Sequence, residues 1–135
     1  MDPTYQATVA SYRADPDDND LRRRLAITAI VMGRIAAENG NSDEASRLIA
    51  TGMRFAKSSE WPGGLETVPS LNYAHRLHAA SQAYLANGDQ ENGCRLTRQS
   101  IELYIDYAKR FQLPVTSLRY RLSPLQSQQK SCSNS

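Results

Sequence analysis

Two histidines three residues apart, His75 and His78, are the side chains of this sequence best suited to chemistry. Imidazoles change charge near neutral pH and are common metal ligands. A helical zinc site places two histidines four residues apart with a glutamate between them, but no acidic residue stands within one turn of this pair. We therefore expect neither a metal site nor a cofactor.

A nucleophile acting with one of these histidines would be Cys94 or a serine. Cys94 falls on the helix face that is expected to pack, and the sequence has neither a G-x-S-x-G elbow nor a phosphate-binding glycine loop. Cys94 and Cys132 do not form a C-x-x-C pair, so we expect two reduced, unpaired thiols rather than a disulfide or a zinc site. The sequence thus predicts a protein that is not an enzyme.

Length and charge fit one small domain. The chain has 135 residues, with 16 basic and 14 acidic side chains, so its net charge does not predict nucleic-acid binding. The basic run Arg22–Arg24, together with Arg119 and Arg121 beside Tyr120, keeps an alternative open, in which a regulatory helical protein associates with nucleic acid. The aspartates directly before the run would cancel much of its field, so a solvated charged surface is the preferred interpretation.

No segment is predicted to act at a membrane. The most apolar run, Leu25 to Ala37, contains Arg34 and is shorter than the ~20 residues that a transmembrane helix needs. The first residues lack the basic and apolar regions of a secretory signal peptide. We expect a cytoplasmic protein.

Apolar periodicity and capping residues predict five to six helices. Asn39-Gly40 and Asn87-Gly88 are typical helix ends, and the prolines and glycines between residues 58 and 70 predict a loop. The helix before Asn39 is apolar nearly all round, which is typical of a buried helix. The expected helices span residues 3–14, 21–38, 42–57, 71–86 and 90–111, with a short sixth helix at 115–122. We place the helical domain at residues 1–122 and expect the polar segment 123–135 to be disordered, because it has few apolar residues to offset its ordering entropy.

An internal repeat becomes visible when Gly40 is aligned with Gly88, an offset of 48 residues. The chemistry then matches at neighbouring positions, where Asn41, Asp43, Arg47, Leu48 and Met53 meet Asp89, Glu91, Arg95, Leu96 and Ile101. Two helix pairs of this kind cannot each bury their apolar faces alone, so we expect them to stack.

This repeat resembles the tetratricopeptide repeat, whose units are two antiparallel helices with small residues where they cross. The small residues at the corresponding positions are Gly33, Ala45 and Gly52 in the first copy and Ser81, Gly93 and Ser100 in the second. The segment Gly93–Ser100 is also similar to repeat regions that follow some bacterial serine/threonine kinases, although no kinase motif is present. The resemblance implies an all-α fold of antiparallel helix pairs, a tetratricopeptide-like α-solenoid or bundle.

In that family the first helix of each unit lines a concave groove, and the resemblance assigns this role to seven residues here. They are Ile30, Arg34 and Ala37 from the first copy, and His75, His78, Gln82 and Leu85 from the second. A cation, two imidazoles and an amide could hold a peptide by hydrogen bonds; alternatively, these side chains only cap the core or face solvent. We therefore expect a non-catalytic interaction module or adaptor that binds a protein or peptide, with an open repeat end that would let a second copy pair.

Trp61, the only tryptophan, lies in the predicted loop and has two interpretations. Packed under the loop, it would cover the ends of the third and fourth helices. Exposed, it would be an anchor for a partner. The packing role is the preferred one.

Overall fold

The described part of the chain forms six α-helices and one short 3-10 turn. A computed structural model describes residues 3–14, 19–58 and 68–133, and no strand occurs in these ranges. The elements are α1 (Pro3–Ala14), α2 (Asn19–Glu38), α3 (Ser42–Ser58), α4 (Val68–Ala86), α5 (Gln90–Arg110), the 3-10 turn Val115–Leu118 and α6 (Arg119–Ser133). The prediction of an all-helical fold is confirmed for these residues.

The first five helices begin and end close to their predicted positions. The largest difference is at α4, which begins at Val68 rather than at Leu71. Pro69 does not prevent this earlier start, because a proline in the first turn removes an N–H group that has no partner within the helix. The rest of the predicted loop, including Trp61, lies outside the described residues.

The prediction of a disordered tail is wrong for residues 123–133, which belong to α6. Leu118, Leu122 and Leu125 follow one another at intervals of four and three residues, and all three are buried. They pack with Tyr104 and Ile101 of α5. The predicted domain boundary at residue 122 therefore falls inside a packed helix, because three leucines on one face bury enough apolar surface to order an otherwise polar segment.

Neighbouring helices pack in two tight pairs, α2 with α3 and α4 with α5. Contacts of α4 with both α2 and α3 join the pairs, while α1 covers α2 and α6 covers α5. One core cluster lies between the pairs and includes Ile30, Ile49, Leu77, Tyr84 and Leu96.

The turns that connect the helices within the two pairs have the same backbone hydrogen bonds at an offset of 48 residues. Asn41 N–H donates to Ala36 O at 2.8 Å, as Asp89 N–H donates to Tyr84 O at 2.9 Å. Gly40 and Gly88 have φ values of 82° and 77°, the left-handed conformation in which glycine has no steric penalty. The repeat found in the sequence thus corresponds to a repeat of backbone structure at these turns.

Close helix crossings explain three further glycines. A Cβ atom on Gly33 would lie 2.7 Å from Ile49 Cγ1, and one on Gly52 would lie 2.7 Å from Ile30 Cγ1. In the second pair, a Cβ atom on Gly93 would lie 2.6 Å from the side chain of Leu85. A larger residue at any of these positions would force the two helices of a pair apart.

A disulfide joins α5 to the end of α6, contrary to the prediction of two free thiols. Cys94 and Cys132 are bonded, with their Cα atoms 5.8 Å apart, a usual separation for a disulfide. Cys132 lies seven residues after Leu125, two helical turns further along the face of α6 that packs on α5. The spacing of the two cysteines alone could not predict this bond, because the pairing depends on α6 being a helix.

Among the described helices, none combines the length and the apolar character that spanning a membrane requires.

Candidate functional site

Three of the seven predicted groove residues lie in helix packing rather than on an open surface. Ile30 is 2 % exposed and belongs to the core cluster between the helix pairs. Ala37 is half-buried against the cluster formed by Ala36, Ala45 and Leu48, and Leu85 contacts Gly93. The expectation that Ile30 lines an open groove is wrong, because it faces α3 rather than solvent.

Two other predicted groove residues do meet across the boundary between the helix pairs. Arg34 Nη1 of α2 donates to Gln82 Oε1 of α4 at 3.5 Å, the long limit of a hydrogen bond. Arg34 Nε also donates to Glu38 Oε1 at 3.2 Å, one helical turn further on. The guanidinium is therefore held at the surface between α2 and α4 by one charged and one neutral acceptor.

The two histidines are in contact with α6. Arg121 Nη1 lies 2.8 Å from His75 Nδ1, and His78 Nε2 lies 3.2 Å from Gln128 Oε1. Arginine has only donors, so His75 Nδ1 must accept and the ring is neutral. Desolvation, followed by the charges of Arg121, Arg76 and His78, lowers the pKa of His75, which agrees with a neutral ring.

Desolvation also lowers the pKa of His78, although its hydrogen bond to Gln128 opposes this shift. The Nε2 amide group of Gln128 donates to Ser81 Oγ at 3.0 Å and to Thr97 Oγ1 at 3.1 Å, while its Oε1 accepts from His78 Nε2. Both hydroxyl residues are fully buried, so the amide of Gln128 bridges α4, α5 and α6 in a polar contact below the surface. The part of the predicted groove that contains the histidines is therefore occupied by α6 of the same chain.

An exposed apolar stripe on α2 is a feature that the sequence analysis does not predict. Ile27, Val31 and Ile35 are 41 %, 51 % and 51 % exposed, respectively. They are spaced four residues apart, so they form one row along the helix. Because α2 is apolar nearly all round, its sequence is typical of a buried helix, and periodicity alone cannot show which apolar face lacks a cover.

The arginines of the nucleic-acid alternative differ in exposure. Arg22 and Arg23 are half-buried, whereas Arg24 and Arg119 are exposed. Arg121 is held against His75 and lies over the ring of Tyr120, with Cζ 5.2 Å from the ring centroid.

No cluster of three metal-ligating side chains occurs within residues 3–14, 19–58 and 68–133. Comparison with known proteins adds no assignment: no protein-family model, curated protein or solved structure matches this chain.

Proposed function

We propose that this chain is a non-catalytic interaction domain that binds an amphipathic helix of a partner protein along the exposed stripe Ile27, Val31 and Ile35. The observation that carries the proposal is the exposure of three large β-branched side chains in one row. Single exposed apolar residues are common on protein surfaces, but a contiguous apolar patch is typical of an interaction site.

The geometry of the stripe suits a helical ligand. Its three side chains span nine residues of α2, from 27 to 35, or about 12 Å along the helix axis. A partner helix with apolar residues at intervals of three and four presents anchors at a similar spacing. Burying the stripe would remove apolar surface that α2 now exposes to water.

Charge around the stripe favours an acidic ligand. Arg24 and Arg34 are exposed on α2, and Arg34 is paired with Glu38. Among the described exposed side chains beside the stripe, two arginines thus stand against one carboxylate, and this excess of positive charge would steer an acidic helix towards the stripe and orient it.

The proposal includes a tetratricopeptide-like arrangement of antiparallel helix pairs. It is supported by the matching hydrogen bonds at Gly40 and Gly88 and by the close crossings at Gly33, Gly52 and Gly93. The Cys94–Cys132 disulfide favours an oxidising compartment over the cytoplasm expected from the sequence, because cytosolic thiols are kept reduced.

Selection from a displayed library of helical peptides tests this function. We expect enrichment of peptides with apolar residues at intervals of three and four and with acidic flanks. Val31→Asp/Ile35→Asp should bind them at least about tenfold more weakly, because two anchor contacts are replaced by desolvated carboxylates. Leu113→Asp is the matched control, since Leu113 is 40 % exposed outside α2.

Circular dichroism must first show that all three proteins are equally helical. Equal binding to the double variant, or no enrichment at all, would refute the proposal. Sedimentation of the chain alone tests whether a second copy binds the stripe. A dimer that dissociates in Val31→Asp/Ile35→Asp would mean that a second copy, rather than a partner protein, covers the stripe.

A further inference from the structure

A small cavity of about 150 Å³ lies where α4, α5, the 3-10 turn and α6 meet. Its apolar wall is formed by Leu71 and Leu118, and its polar atoms come from Asn72, His75, Tyr104 and Arg121. None of the described residues that line it is acidic. The cavity is separate from the stripe on α2, so an inference from it does not depend on the proposed function.

Arg121 brings a positive charge to this cavity without a carboxylate partner among the described residues. Its guanidinium donates to neutral His75 at 2.8 Å and lies over the ring of Tyr120. These contacts fix the position of the group but do not neutralise its charge. The guanidinium also lies near the hydroxyls of Tyr104 and Tyr120, and its remaining N–H groups can donate to a ligand.

Tyr104 adds a second donor. Its side chain is 1 % exposed, and its hydroxyl lies beside the Arg121 guanidinium without a hydrogen bond of acceptable geometry, so its O–H group has no acceptor. Burial raises the pKa of this phenol, against the opposing charge of Arg121, so the hydroxyl keeps its proton at neutral pH. A buried hydroxyl without a hydrogen bond is uncommon, because leaving a donor unsatisfied costs free energy.

We propose that this cavity binds a short-chain carboxylate. One carboxylate oxygen would accept from the Tyr104 hydroxyl, the other would pair with Arg121, and the alkyl chain would lie against Leu71 and Leu118. A cavity of this volume holds a molecule of about six non-hydrogen atoms, the size of benzene. Butyrate has that size. Its carboxylate would supply the negatively charged partner that Arg121 lacks among the described residues, and its alkyl chain would suit the two leucines.

Isothermal titration calorimetry with butyrate tests the site in the intact oxidised chain. We expect saturable binding with a Kd in the millimolar range or tighter, as the size of the ligand allows. Tyr104→Phe should weaken binding about tenfold, because a hydrogen bond to a charged group is lost. The variant should still fold, since its missing hydroxyl has no hydrogen bond in the unliganded protein.

Arg121→Gln should also weaken binding about tenfold or more, whereas Arg119→Gln, an exposed arginine two residues away on the same helix, should bind like the natural chain. Butyramide, a neutral molecule of the same size, should bind far less well than butyrate. The proposal is overturned if butyrate does not bind, if butyramide binds equally well, or if Tyr104→Phe binds unchanged. Preferential binding of inorganic phosphate would overturn the choice of a carboxylate.

Discussion

The disulfide between α5 and α6 makes a prediction about stability that can be worked from the structure. Cys94 and Cys132 are 38 residues apart in the sequence. Closing a loop of this length in the unfolded chain removes entropy equivalent to about 4 kcal/mol at 25 °C. Small domains are stable by only about 5–15 kcal/mol, so reduction should remove a large part of the free energy of unfolding.

Urea denaturation of the oxidised and reduced chains, followed by circular dichroism, measures this difference. With a urea dependence of about 2 kcal/mol per molar, a loss of about 4 kcal/mol lowers the midpoint by about 2 M. The Cys94→Ser/Cys132→Ser variant is the control for the reductant and should unfold with the reduced chain. Equal midpoints for oxidised and reduced protein would refute the reasoning, as would faster amide exchange confined to α6 with an unchanged midpoint.

Three further predictions concern single positions. Gly52→Ala should destabilise the fold by about 1–3 kcal/mol, because its Cβ atom would lie 2.7 Å from Ile30 Cγ1; a thermal midpoint equal to that of the natural chain would contradict it. Gln112→Gly should raise the free energy of unfolding by up to about 1 kcal/mol, since Gln112 has a φ of 53° at the end of α5. A lower urea midpoint for this variant than for the natural chain would disprove this prediction. Burial lowers the pKa of His78 below its usual 6.5, so the unfolded chain binds protons more readily and stability should fall as the pH drops through 6.5. In His78→Gln the free energy of unfolding should fall less between about pH 7.5 and about pH 5.5 than it does in the natural chain. An identical pH dependence in the two proteins would exclude this histidine as a contributor.

Local sequence signals were sufficient to predict most of the helices. Gly40 and Gly88 end α2 and α4 as expected, because a left-handed residue is a requirement of the backbone that does not depend on distant contacts. The small residues of the resemblance correspond in part to real crossings, as at Gly33 and Gly52. Turns and crossings of this kind are determined by the residues that form them.

The last helix and the site could not be predicted in the same way. The sequence from residue 119 is polar, with a proline at 124, and becomes a stable helix only because Leu122 and Leu125 meet Tyr104 on α5. The contact of His78 with Gln128 spans 50 residues and depends on that same packing. Propensity and periodicity describe one segment at a time, whereas these contacts exist only after α4, α5 and α6 have come together.

The equal hydrogen bonds at Gly40 and Gly88 also bear on how such a chain could lengthen. The segment 41–88 begins and ends at equivalent points of the backbone. Residue 41 follows the turn at Gly40, residue 88 completes the turn at Gly88, and the two turns have corresponding hydrogen-bond donors and acceptors. A tandem duplication of this segment would therefore join α4 to a copy of α3 through a turn that the chain already forms. Insertion by unequal recombination at these two glycines would need no new connection between helices, which makes this pair of turns a natural place for the protein to gain or lose a unit.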